Sequence, residues 1–154
     1  MQQALTLARS AFDLGEVPVG ALVLMDGQII GSGTNRTIAD ADPTAHAEII
    51  ALRAAAKHLG NHRLNNAMLV CTLEPCAMCV GALVHARVAK LVYGADEPKT
   101  GACGSAFDLL SDPAHGHLVA VEKGLMADAS RDLLQQFFRA RRGVTAPVHS
   151  SLFD

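Results

Sequence analysis

The stretch Thr72-Leu73-Glu74-Pro75-Cys76-Ala77-Met78-Cys79, read together with Ala45-His46-Ala47-Glu48 upstream, constrains this chain more than any other feature. The pattern is H-x-E followed by P-C-x-x-C. Cys76 and Cys79 are three positions apart, so on a helix they lie one above the other on a single face. Pro75 suits the first turn of such a helix, where a missing N–H costs nothing. Both sulfurs are then expected at a helix N-terminus, where the dipole and free amides favour thiolates. With His46, two thiolates and one imidazole make three protein ligands for a tetrahedral Zn²⁺. The fourth position stays open, as in catalytic rather than closed structural sites.

His46 and Glu48 need a separate argument, because residues i and i+2 diverge on the barrel of a helix. At a helix start the side chains tilt back toward the N-terminus, so both can reach a site lying off the end. Asp42-Pro43-Thr44 reads as a helix entry with Thr44 as a candidate N-cap. Ile49, Ile50, Leu52 and Leu59 supply the apolar side, and Gly60 a stop. Two helix N-termini are therefore expected to point at one metal. H-x-E with P-C-x-x-C is the signature of zinc deaminases. Zinc lowers the pKa of its bound water from about 15.7 to about 7. Glu48, not itself a ligand, is expected to take the proton from that water. It would then deliver it to the ring nitrogen beside the attacked carbon and later to the departing ammonia.

Three plainer readings compete. A C-x-x-C between strand and helix can be a thioredoxin-like redox pair, but such a dithiol has no use for His46 and Glu48. A structural zinc site needs a fourth ligand, for which Cys71, Cys103 and His85 are available without a spacing motif to support them. The third is a buried histidine and two core cysteines brought together by coincidence.

At 154 residues the chain is expected to form a single domain, residues 1–154, with one proper core. Half of it is hydrophobic and only 4% aromatic, the profile of an Ala/Val/Leu-rich α/β protein. No repeat or low-complexity run appears. Met1-Gln2-Gln3-Ala4 opens directly into an amphipathic pattern, so no signal peptide is expected, and nothing approaches a membrane span. Four cysteines, two of them in a metal motif, fit a reducing cytoplasm better than a disulfide framework, with Cys71 and Cys103 read as core thiols. A net charge of −2 gives no support to nucleic-acid binding. The distribution is more informative, because Arg139, Arg141 and Arg142 cluster near the C-terminus.

Taken in order, Leu5, Leu7, Ala8, Ala11 and Phe12 predict a first helix ending near Gly15. Strands are expected at 19–25 and 28–34 around an Asp26-Gly27 hairpin turn. Asn35 follows, either as a turn residue or, just ahead of the metal helix, as a substrate contact. A strand over 67–72, the Cys76 helix ending near 85–86, and a strand over 90–95 form a βαβ unit, so those strands should run parallel. The loop 96–104 leaves the C-terminal end of the last one, the edge where ligands of open α/β sheets collect. An irregular 108–116 and a short strand over 118–122 precede a final helix of about 128–142. Leu133, Leu134, Phe137 and Phe138 are assigned to its inner side, and the arginines end it. Dipole complementarity alone also predicts basic residues there.

Across nearly its whole length the chain resembles the bacterial tRNA adenosine deaminases, which convert adenosine to inosine at the anticodon wobble position. The likeness rests on E-V-P-V-G-A at 16–21, D-P-T-A-H-A-E at 42–48 and T-L-E-P-C-x-M-C at 72–79. It continues in G-A-x-x-x-K-T-G-A at 94–102 and F-F-R-x-R-R at 137–142. The resemblance implies a cytidine deaminase-like three-layer α/β/α fold, with a mixed sheet of about five strands. It also implies a homodimer with one Zn²⁺ per subunit, and attack of zinc-bound hydroxide on C6 with Glu48 as proton shuttle. By likeness, Asn35 hydrogen-bonds the target nucleotide, Val19 walls the base pocket, and Ala47 and Glu97 belong to the substrate site. Lys99, Arg139, Arg141 and Arg142 meet RNA phosphates, and His117 sits in the substrate loop. The partner implied is a tRNA anticodon stem-loop, an arginine tRNA in particular, with the target base flipped from a loop where it is already unpaired. Glu97 departs from the family's usual Asp near the ribose, and Gly116 from an Asn before the equivalent of His117.

Two alternatives stand beside this reading. One is a deaminase of free bases or nucleosides, of guanine or cytosine type, for which the basic C-terminal segment would have no use. The other is a zinc-stabilised RNA-binding module without catalysis, in which Glu48 would be dispensable.

Overall fold

Strict alternation along three adjacent strands sorts the core into two faces. Ala21 and Val23, Leu69 and Cys71, and Leu91 and Tyr93 face one way. Leu22, Val70 and Val92 face the other. The computed structural model describes residues 1–144, and its elements are α1 (Gln2–Asp13), β1 (Gly20–Met25), β2 (Gln28–Thr34), α2 (Ala47–Leu59), β3 (Met68–Leu73), α3 (Ala77–His85), β4 (Lys90–Ala95), β5 (Ala120–Lys123) and α4 (Ala127–Val144), with a 3₁₀ turn at Pro113–His115. The sheet order is β2-β1-β3-β4-β5. The β1 pairings with β2 and β3 are antiparallel, and β3–β4 and β4–β5 are parallel. The β3–α3–β4 crossover is thus the expected parallel unit.

The first face packs on α2 and α3 and the second on α1, with α4 beside α1 against β4, so three layers form as expected. The hairpin is set by Asp26 (φ 50°) and Gly27 (φ 76°), two successive left-handed residues of the kind that match strand twist. Close approach of α2 to the sheet depends on missing side chains. Gly31 and Gly33 lie against the Ala47, Ala51 and Ala55 stripe, so close that a Cβ on either would overlap the helix backbone. This packing fixes where the N-terminus of α2 comes to rest. α4 is seated by Ser130, Leu133 and Phe137, all buried, with the Phe137 ring edge-on to Phe12 at 5.6 Å between centroids.

Four local expectations are corrected. Thr44 is not the N-cap of α2: its hydroxyl and amide both bond Asp42 Oδ1, at 2.7 and 2.8 Å, in a turn that ends before the helix, and His46 takes the cap position. Pro75 lies just outside α3 rather than in its first turn, and Cys76 is the N-cap. Phe138 is 45% exposed, because the buried stripe at 130, 133 and 137 uses the one face to which residue 138 cannot turn. Leu118 is 91% exposed and precedes β5, which begins only at Ala120.

Candidate active site

His46 and Cys76 hold the same post on two different helices. Both are N-caps with extended backbones (φ −74°, ψ 152° and φ −76°, ψ 174°), and neither side chain caps its own helix. Their polar atoms are thereby left for the space between the helix ends. Cys79, in the first turn of α3, completes the group. Both sulfurs lie 3.6 Å from His46 Nδ1, and all three donor atoms fall within 4.8 Å of one another. A tetrahedral ion with bonds of about 2.3 Å to sulfur and about 2.1 Å to nitrogen separates such ligands by about 3.6 Å, so the donor set fits zinc in kind and in spacing. Among the described residues no fourth His or Cys joins this group. Cys71 is fully buried with its thiol toward the Val92 carbonyl, and Cys103 approaches the Pro75 carbonyl instead.

The electrostatics set the two thiols apart. A hydrogen bond from Cys79 draws the Cys76 thiol down to about 3 against the opposing effect of burial, with His46 adding to the drop. The same bond, with burial, pushes Cys79 the other way. His46 is raised, first by its bond to Cys76. Glu48, in the first turn of α2, is only 4% exposed, and burial raises its carboxyl above the usual carboxylate range.

A cavity of about 180 Å³ opens over these groups. Six of the residues expected at the site line it: Val19, Asn35, His46, Glu48, Cys76 and Glu97. Sequence reasoning missed Val17, Leu73, Glu74 and Thr100, which line it too. Ala47 stays behind the wall, fully buried, with its carbonyl against Gly33. Two buried glutamates hold the flanking loops. Glu16 accepts the amides of Ile38 (2.9 Å) and Ala39 (2.7 Å), pinning the loop after Asn35. Glu74 accepts amides from the loop after β4.

The remaining expected residues lie elsewhere. Lys99, Arg139 and Arg142 line a separate surface groove of about 550 Å³, whose wall includes Arg131 and Phe138. Arg141 turns away from it, donating to the Gly15 carbonyl at 3.2 Å with its guanidinium over the Phe137 ring. His117 Nε2 bonds the Val88 carbonyl at 2.7 Å, which ties it to the segment between α3 and β4, and it is not among the residues that line the cavity. No local sequence signal marks that nonlocal bond.

Comparison with known proteins agrees with this geometry. Residues 1–95 match the family described as the cytidine and deoxycytidylate deaminase zinc-binding region. The chain is 50% identical over 143 residues to a tRNA-specific adenosine deaminase of Haemophilus influenzae, covering 92% of this chain and 83% of that one. It is 53% identical over 145 residues to part of a tRNA(Ile)-lysidine synthase of Deinococcus deserti, covering 92% of this chain but 27% of that protein. A solved structure from studies of A-to-I editing by tRNA deaminases at the wobble position superposes with a TM-score of 0.84 at 44% identity, over 86% of this chain and 96% of that one. The helix ends that carry His46, Cys76 and Cys79, and the mixed sheet behind them, are thus those of a zinc-type deaminase, and the chain belongs to the tRNA-specific adenosine deaminase family.

Proposed function

We propose that this protein hydrolyses adenosine to inosine at the wobble position of a tRNA anticodon, with an arginine tRNA as substrate. One observation carries the reading: a single loop serves both the cavity over Glu48 and a basic groove. Its Glu97 and Thr100 line the cavity beside Glu48, and its Lys99 lines the groove beside Arg139 and Arg142. A free base would need only the cavity, whereas a stem-loop has both a base to insert and phosphates to place.

The cavity has the scale of one flipped nucleobase, with Val17, Val19 and Leu73 as apolar walls and Asn35 as a polar one. When held by His46, Cys76 and Cys79, zinc supplies the Lewis acidity that makes water a nucleophile near neutral pH. Glu48 takes the proton released as water adds to C6 and passes it to N1; it then takes the proton of the new C6 hydroxyl and delivers it to the exocyclic amine as the C6–N bond breaks and C6=O forms. Water and adenosine thereby become inosine and ammonia. Lys99 from the loop and Arg139 and Arg142 from α4 bind backbone phosphates. The same reading includes a homodimer with one zinc per subunit and a cytoplasmic setting. No helix among the described residues is long and apolar enough to cross a membrane.

The test is inosine formation on an arginine-tRNA anticodon stem-loop carrying adenosine at the wobble position, beside free adenosine, guanine and cytosine. Conversion of the stem-loop alone supports the proposal. Turnover of a free base in its place reassigns the protein to small-molecule deamination. Inertness toward all of them at full zinc content returns the RNA-binding module.

A further inference from the structure

Glu74 directly follows the buried strand β3, two positions before Cys76, an unusual place for a carboxylate. It is 2% exposed, and it carries no part of the chemistry described above. Its two oxygens are engaged by one segment. Oε2 accepts the Glu97 amide at 2.9 Å, and Oε1 accepts the amides of Cys103 at 3.0 Å and Ser105 at 3.1 Å. The Ser105 hydroxyl makes a further short bond to Oε2. All four donors belong to the loop 96–107, and they reach back 23 to 31 positions along the chain.

Gly101 passes directly over the carboxylate, with its Cα so near that a Cβ there would lie 2.5 Å from the Glu97 carbonyl oxygen and closer still to the Glu74 carboxyl carbon. The loop's outer edge is fastened to the metal-bearing strand end, where the Ala102 amide donates to the Pro75 carbonyl at 2.8 Å and Cys76 pairs with Gly101 across an isolated bridge. An acceptor-only group with two oxygens can satisfy these converging donors. No neutral side chain of the same shape can.

We propose that Glu74 is a positioning residue for the substrate-binding loop: by gathering the amides of residues 97, 103 and 105 it fixes Glu97 and Thr100 at the cavity and Lys99 at the groove, in register with Cys76. The proposal rests on the stem-loop reading for its kinetic consequence, but not for its structural one. Glu74→Gln keeps the shape and replaces one acceptor by an NH₂ that faces N–H donors. The loop then loosens, while His46, Cys76 and Cys79, held by helix ends, keep their places.

Two measurements on zinc-loaded full-length protein test this. Amide hydrogen exchange at residues 97, 103 and 105 should accelerate by about tenfold or more in Glu74→Gln, with exchange in α2 and α3 unchanged. On the stem-loop, KM should rise by about tenfold while kcat falls by less than about threefold and zinc stays at the wild-type content. Ser105→Ala, which removes only the hydroxyl donor, should show the same pattern at smaller amplitude and serves if Glu74→Gln does not fold. Unchanged exchange in the loop, unchanged KM despite a loosened loop, or a kcat loss that tracks zinc loss would each overturn the proposal. A wild-type protein inactive on the stem-loop would refute the substrate assignment, and the exchange measurement would still decide the role of Glu74.

Discussion

Gly33 is the residue through which packing most directly controls chemistry. An alanine Cβ there would sit 2.7 Å from the Ala51 amide nitrogen and closer still to the Ala47 carbonyl, and real Cβ atoms do not come within about 3.0 Å of such neighbours. Both atoms are backbone, so the helix must retreat by about half an ångström or more. Ala47 is the residue after His46 and the one before Glu48, so the retreat moves the proposed metal ligand and the proposed proton carrier together. Overpacking of this kind costs about 1–3 kcal/mol of stability. Misplacement of a reacting group by about 1 Å costs about a hundredfold in rate, so Gly33→Ala should lose about ten- to a hundredfold in kcat and bind zinc more weakly. Gly31→Ala provides the control. Its Cβ would meet the Ala55 amide nitrogen at 2.6 Å, an equal clash one turn farther from His46. It should lose similar stability and much less turnover. Thermal unfolding, zinc content by elemental analysis and inosine formation on the stem-loop, run on both variants, decide the matter. Wild-type turnover and zinc in Gly33→Ala, or equal catalytic loss in Gly31→Ala, would refute the reasoning.

Other outcomes follow from the same geometry. Stripping the metal with a chelator should make Cys76 the reactive thiol: held down to about 3, it is a thiolate at every pH from 5 to 8. Burial pushes Cys71 well up. Iodoacetamide at pH 6 followed by peptide mapping should therefore label Cys76 first in the stripped protein and spare it in the zinc-loaded one. Replacing Lys99, Arg139 or Arg142 by alanine should weaken stem-loop binding and flatten the log–log salt dependence by about 0.7–0.9 for each phosphate no longer neutralised. Arg141→Ala should instead act mainly on stability, by about 0.5–1 kcal/mol from its stacking on the Phe137 ring, with a smaller change in salt slope. Fluorescence titrations at several salt concentrations separate the two kinds of arginine.

The parts of this architecture that are legible in the sequence are those governed by local rules. Asp26-Gly27 can only be a tight turn, so the bounds of β2 at Gln28–Thr34 follow from it. The H-x-E and P-C-x-x-C spacings are readable because one ion dictates where the three donors must meet. The departures come from competition between neighbouring groups. Thr44 has the right side chain for a cap, but Asp42, two residues away, claims its hydroxyl and its amide. Hydrophobicity groups Phe138 with Phe137, though adjacent helical positions point about 100° apart. What stays hidden is nonlocal. Glu16 and Glu74 hold their loops through donors more than twenty positions away. Thr100 reaches the cavity only because its loop is so held. A charged residue closing an otherwise apolar strand, as Glu74 does after Met68–Leu73, is the one available hint.

In the proposed mechanism His46, Cys76 and Cys79 hold the metal while Glu48 moves the proton. Glu48→Ala tests this division most directly, with zinc content and single-turnover inosine formation measured on the same preparation. The expected result is wild-type zinc, undiminished stem-loop binding, and a rate lower by at least about a hundredfold. Inosine formed at the wild-type rate by the zinc-loaded variant would contradict it.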